Sequence, residues 1–168
     1  MIKKMIIEEI YKARRIHEHW LSRAEDLISG LPIYEDMIPL SPNACGFGKW
    51  FHTKCTNLYK IPRIALSLKR IERVHNELHD MYLKIYKIYF IDSKKPWILS
   101  VLTSRYKEPS KEQKNLALQY YDELEDISIR LMAELKMLEK DIQETKDIFL
   151  EKNYKVDTDT LNKYVPLV

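Results

Sequence analysis

The sequence predicts an all-α protein: a four-helix bundle with a loop and short helix set across one end. Three observations carry that prediction. Glycine occurs only three times in 168 residues, whereas strand-rich folds depend on tight turns that use it. Apolar residues recur at alternating spacings of three and four in three separate stretches, the period of a helix burying one face. Clusters of proline and glycine separate those stretches, and both residues interrupt helices.

The first stripe runs through Ile6, Ile10, Ala13, His17, Trp20, Ala24 and Leu27, and stops at Gly30-Leu31-Pro32, a terminating composition. His17 lies inside the stripe and is expected to face the core; His19 must point elsewhere. Residues 31–43 contain Pro32, Pro39 and Pro42 and read as a loop crossing the bundle end. Ser41-Pro42 is a helix start signal, which sets Cys45 in the first turn of the following helix. Gly46 and Gly48 fall within four residues of that cysteine, so the backbone there needs room.

The third segment, from about Pro62 to Phe90, carries Ile64, Leu68, Ile71, His75, Leu78, Tyr82, Ile85 and Tyr89 in register. Asp92 to Pro96 ends it, and Trp97–Tyr106 reads as a short helix. Ser110 and Gln113 form a capping box for the last long helix. Its stripe is Ala117, Tyr121, Leu124, Ser128, Leu131, Leu135, Leu138, Ile142 and Phe149. Residues 1–152 are read as one domain and 153–168 as a tail, with a short helix starting near Asp157-Thr158. Of Tyr82, Tyr86, Tyr89 and Tyr120, the first and third are expected in the core.

Composition excludes several classes. A net charge of +3, evenly spread, does not make a nucleic-acid surface. No apolar run reaches the length of a membrane span, and Glu8-Glu9 come too early for a signal peptide. The expectation is a cytoplasmic protein with no membrane insertion. Two cysteines in that compartment point to metal or redox chemistry rather than a disulfide framework.

Four residues of metal-binding type can converge. His75 and His79 form an i,i+4 pair on one helix face, His17 faces inward, and Cys45 sits where free helix N–H groups favour a thiolate. Taken singly, each has a plain structural explanation: a hydrogen-bonded core histidine, a chance pair, a small buried thiol. Together, three imidazoles and one thiolate make a closed tetrahedral set suited to Zn²⁺. Metal-enzyme signatures are incomplete. A di-iron bundle needs Glu-x-x-His twice, and only Glu72 to His75 supplies it. The zincin pattern needs glutamate after the first histidine, and Asn76 stands there. A three-histidine site with water in place of Cys45 would keep an enzyme reading open. A purely structural zinc dimerisation module is the other alternative.

The motif blocks are His17-Glu18-His19-Trp20, Cys45-Gly46-Phe47-Gly48-Lys49-Trp50 and His75-Asn76-Glu77-Leu78-His79. They are separated by residues 21–44 and 51–74, 24 each. In these blocks and intervals the chain resembles the bacterial chemoreceptor zinc-binding domain family, over roughly residues 5–150. The resemblance implies an antiparallel helical bundle, usually a homodimer, with His17, Cys45, His75 and His79 as zinc ligands. It implies no catalytic residue. Trp20, Phe47, Gly48 and Trp50 are expected to pack beside the site. The implied function is regulatory: a response to zinc availability, or to oxidation of Cys45 by oxidants such as hypochlorous acid, in chemotaxis or cyclic di-GMP control. With no receptor segment or output domain in the sequence, a stand-alone domain signalling by contact with a protein partner is expected, through movement of residues 40–60. Cys55 is expected to be a buried structural cysteine.

Overall fold

The computed structural model describes residues 2–31, 39–91 and 106–154. Helix α1 spans Ile2–Ile28 and buries the predicted stripe from Ile6 to Leu27, with Ile2 extending it by one turn. Gly30 ends it with φ 77°, the left-handed conformation that glycine adopts without a steric cost. Leu31 N–H then donates back to the Asp26 carbonyl at 3.0 Å.

Helix α2 is Gly46–Lys54, followed by a 3₁₀ turn at Thr56–Lys60. The start lies later than Ser41-Pro42 predicts. Residues 41–44 form a turn in which Ala44 N–H donates to the Ser41 carbonyl at 3.0 Å. Cys45 is therefore the N-cap and not a first-turn residue. Helix α3 runs from Pro62 to Phe90, with proline where its missing N–H costs nothing. Helix α4 is Lys111–Glu144, opened by the Ser110/Gln113 capping box.

The last stripe breaks where the sequence reads it as continuous. Thr145 and Lys146 take extended conformations and a separate helix α5 follows at Asp147–Asn153. Thr145 holds the break: its hydroxyl donates to the Asp141 carbonyl at 2.6 Å and its N–H to the same group. The break shifts the helical phase, so Leu150 is fully buried and Phe149 is 53% exposed. Tyr82 and Tyr89 are core residues, but so is Tyr86, against expectation; its ring stacks on Phe90 with centroids 4.8 Å apart. Tyr120 is half-buried, and the Lys84 ammonium sits over its ring.

Among the described residues every regular element is a helix. Helix α4 packs along α3 and against α1, while α2 rests on α1 and the 3₁₀ turn rests on α3. No described helix is long and apolar enough to cross a membrane. The segments 92–96 and 97–105 and the short helix expected at Asp157-Thr158 lie outside the described residues; Tyr106 is not helical.

A charged seam joins α3 to α4. Asp141, 4% exposed, accepts from the Ser67 hydroxyl at 2.5 Å and from Arg63 Nε at 2.6 Å. Arg70 donates to Ser67 Oγ at 3.1 Å and to Glu134 at 2.8 Å. Arg130 pairs with Glu77 at 2.9 Å. Neither Asp141 nor Ser67 was read from the sequence as a buried polar group.

Candidate metal centre

Helix α3 gives His75 and His79 one face because four residues advance a helix by slightly more than a turn. Their ring centroids lie 4.7 Å apart, and both residues are buried. Helix α1 brings His17 to the same region, buried, with its ring 5.3 Å from that of His75. The turn before α2 brings Cys45, whose Sγ lies 3.3 Å from His75 Nε2.

Cys45, His75 and His79 offer ligand atoms that all lie within 4.8 Å of one another. The Sγ–Nε2 separation is close to the edge of a zinc tetrahedron, about 3.5 Å for ordinary Zn–S and Zn–N bonds. His17 stands beside this trio, its ring edge-to-face with His75, rather than within it. The Phe47 ring touches His17 at 4.9 Å and His75 at 4.7 Å between centroids.

Backbone carbonyls orient two of the rings. His17 Nδ1–H donates to the Ala13 carbonyl at 3.0 Å, and His79 Nδ1–H to the Leu40 carbonyl at 3.2 Å. Each bond leaves the lone pair on Nε2, the atom a metal takes. Burial keeps these rings neutral. It lowers the His17 pKa from 6.5 to about 4 against the opposing Ala13 carbonyl. Burial also lowers His75, helped by the neighbouring His17 and His79, and lowers His79 against the Leu40 carbonyl. Neutral, tautomer-locked imidazoles are the form in which histidine ligates.

Cys45 behaves differently from the sequence expectation. Its sulfur accepts from Gly48 N–H at 3.1 Å, so the free amides of the helix start do reach it. Burial nonetheless dominates, and the thiol pKa is raised despite the amides of Gly48 and Phe47. The thiol donates to the Pro42 carbonyl at 3.2 Å. With Lys49 too weak to offset burial, the group is a thiol, and a bound cation is what would hold it as thiolate. This donor set, soft sulfur with neutral nitrogens in a buried setting, fits Zn²⁺.

The aromatic residues surround these groups. Trp20 contacts His79 at 5.3 Å and Tyr82 at 4.8 Å, and Trp50 contacts Phe47 at 5.5 Å between centroids. The indole N–H groups of Trp20 and Trp50 are buried with no acceptor among the described residues. His19 and His52 are exposed, as is Asp80. Glu77 turns to Arg130 and Arg73. Cys55 is fully buried at the end of α2, and burial raises its thiol pKa strongly. Sequence reasoning missed the carbonyls of Ala13, Leu40 and Pro42. Backbone groups leave no residue-type signal, although Pro39 and Pro42 marked the loop that carries two of them.

Residues 17–86, which begin at the first of these histidines and extend just past the last, match the description of a known family, the chemoreceptor zinc-binding domain. The match is shorter than the 5–150 span expected from the resemblance. No curated protein and no solved structure shows significant similarity to the chain.

Proposed function

With residues 17–86 belonging to the chemoreceptor zinc-binding domain family, we propose that this chain is a zinc-binding regulatory domain whose ion is held by His17, Cys45, His75 and His79. The observation that carries the reading is the buried convergence of Cys45, His75 and His79 within 4.8 Å. His17 completes the set on the support of its burial, the Ala13 bond that leaves its Nε2 unprotonated and its 5.3 Å ring separation from His75. Four protein ligands leave no open position, which favours a regulatory over a catalytic role.

The bound ion would supply positive charge that keeps Cys45 ionised, and the chain does the rest. His75 and His79 are fixed on a helix of 29 residues, while Cys45 caps a helix of nine. A change at the sulfur therefore acts first on residues 40–60. Zinc withdrawal, or oxidation of Cys45 to a sulfenic acid, is read as the stimulus. The aromatic cover of Phe47, Trp20 and Trp50 limits access of water to it. An antiparallel bundle is part of the proposal. The order of its ion pairs supports this: residues 63, 70 and 77 of α3 meet 141, 134 and 130 of α4. A cytoplasmic homodimer that relays its state to a signalling protein completes the reading.

Metal content per chain is the test, in protein purified without tag-borne metal, for wild type beside Cys45→Ser, His75→Ala and His17→Ala. About one zinc in wild type with marked loss in every variant is expected. Full zinc in His17→Ala would remove that residue from the set, and none in wild type after zinc addition would end the reading. Sedimentation of the metal-loaded protein tests the dimer.

A further inference from the structure

Glycine inside a helix destabilises it by roughly 1 kcal/mol relative to alanine, so Gly48, in the first turn of α2, needs a reason. Its φ is not positive; among the described residues Gly30 alone has that conformation. The reason is space. A Cβ at position 48 would overlap the Pro42 carbonyl oxygen, come 2.9 Å from its carbon and 3.3 Å from Asn43 Cα. All of these are backbone atoms and cannot rotate aside. At Gly46 a Cβ would meet only the tip of the Ile16 side chain, at 3.4 Å.

The carbonyl that fills the space at Gly48 belongs to a strap with three contacts at the centre. Pro42 O accepts from the Cys45 thiol at 3.2 Å, Gly48 N–H holds the same sulfur at 3.1 Å, and Leu40 O takes the Nδ1 proton of His79 at 3.2 Å. One short stretch of backbone, residues 40–45, thus addresses two of the converging side chains at once.

We propose that Gly48 is a positioning residue for the metal centre: its missing side chain forms the notch that seats the Pro42 carbonyl, and the seated strap places the Cys45 sulfur and orients His79. The inference rests on the zinc-site reading for its consequence, and on geometry alone for the seating. A side chain at 48 drives the strap off α2, removes the Cys45 sulfur from beside His75, and leaves the two α3 histidines where they are.

Gly48→Ala and Gly46→Ala are two residues apart in one helix and make the same chemical change. Two readouts are taken on each full chain. The first, on metal-free protein, is the rate of iodoacetamide alkylation mapped to Cys45. The second is zinc affinity by chelator competition. Gly48→Ala is expected to alkylate at least about tenfold faster and to bind zinc at least about tenfold more weakly, the range typical when a ligand's support is removed. Gly46→Ala is expected to match wild type in both. Unchanged alkylation in Gly48→Ala, or an equal change in Gly46→Ala, overturns the proposal. A wild type that binds no zinc while the alkylation contrast holds would instead defeat the metal reading and leave the seating intact. Should Gly48→Ala not fold, the Pro42→Gly, Gly48→Ala pair, whose loosened strap can withdraw, is expected to regain helicity with Cys45 reactive; failure to regain it overturns the proposal as well.

Discussion

Replacing Asp141 by alanine tests whether the polar seam between α3 and α4 holds the helix that carries His75 and His79. Asp141 is 4% exposed and Ser67 is fully buried, and they meet at 2.5 Å. A hydrogen bond to a charged group contributes about 1.5–3 kcal/mol, and the partner left behind keeps its desolvation penalty. Ser67 then keeps Arg70 Nη2 as a donor to its oxygen but loses the carboxylate that receives its own proton. Arg63 adds little, because its side chain is 55% exposed and turns to water or Glu144. The expected loss is about 2–3 kcal/mol. At about 2–4 °C per kcal/mol for a chain of this size, Tm falls by about 4–12 °C. Thermal unfolding of metal-free Asp141→Ala, Ser67→Ala and the double variant measures it. The double variant should lose little more than Asp141→Ala alone, because both changes remove one bond. Zinc stoichiometry should stay at wild type. A Tm within about 2 °C of wild type, or full additivity of the two changes, would refute the argument.

Other perturbations give equally direct outcomes. Phe47→Ala removes a fully buried ring that packs against both His17 and His75 and is expected to cost about 3–5 kcal/mol in urea unfolding. In the metal-free protein the His17 pKa falls from 6.5 to about 4 on folding, chiefly through burial. The unfolded chain therefore binds more protons within that window, and stability drops as pH is lowered from about 6.5 towards 4. Urea midpoints measured across the window should show this, with a shallower slope in His17→Gln. Gly30→Ala forces a side chain into φ 77° and should destabilise by about 1 kcal/mol, read as a lower midpoint with unchanged slope.

The long helices were legible because each buries a stripe that repeats every three to four residues, and α3 runs from the proline to the phenylalanine that the pattern marks. Features decided by backbone contacts were not legible. Ser41-Pro42 carries a start signal, but α2 begins at Gly46 because residues 41–44 close a turn first, Ala44 N–H donating to the Ser41 carbonyl. Phe149 keeps the period of α4, yet Thr145 interrupts the helix and hands the buried position to Leu150. Tyr86 lies off the strict stripe of α3, yet the buried face is wide enough to include it. At the centre, residue types nominated His17, Cys45, His75 and His79; the fold brings the last three together and sets His17 beside them. The carbonyls that orient the rings carry no type signal. The direction of the Cys45 shift turned on burial, which a helix-start argument leaves out.

Cys45 occupies a position where nature more often writes serine. Its sulfur closes the first turn of α2 by accepting from Gly48 N–H, so the two small substitutions available there are not equivalent. Cys45→Ser keeps an acceptor for that amide and should leave α2 intact while withdrawing the soft donor. Cys45→Ala withdraws both, at about 1 kcal/mol of helix stability. Comparing the pair separates the sulfur's service to the backbone from its service to an ion. Serine is the substitution that silences the second without disturbing the first.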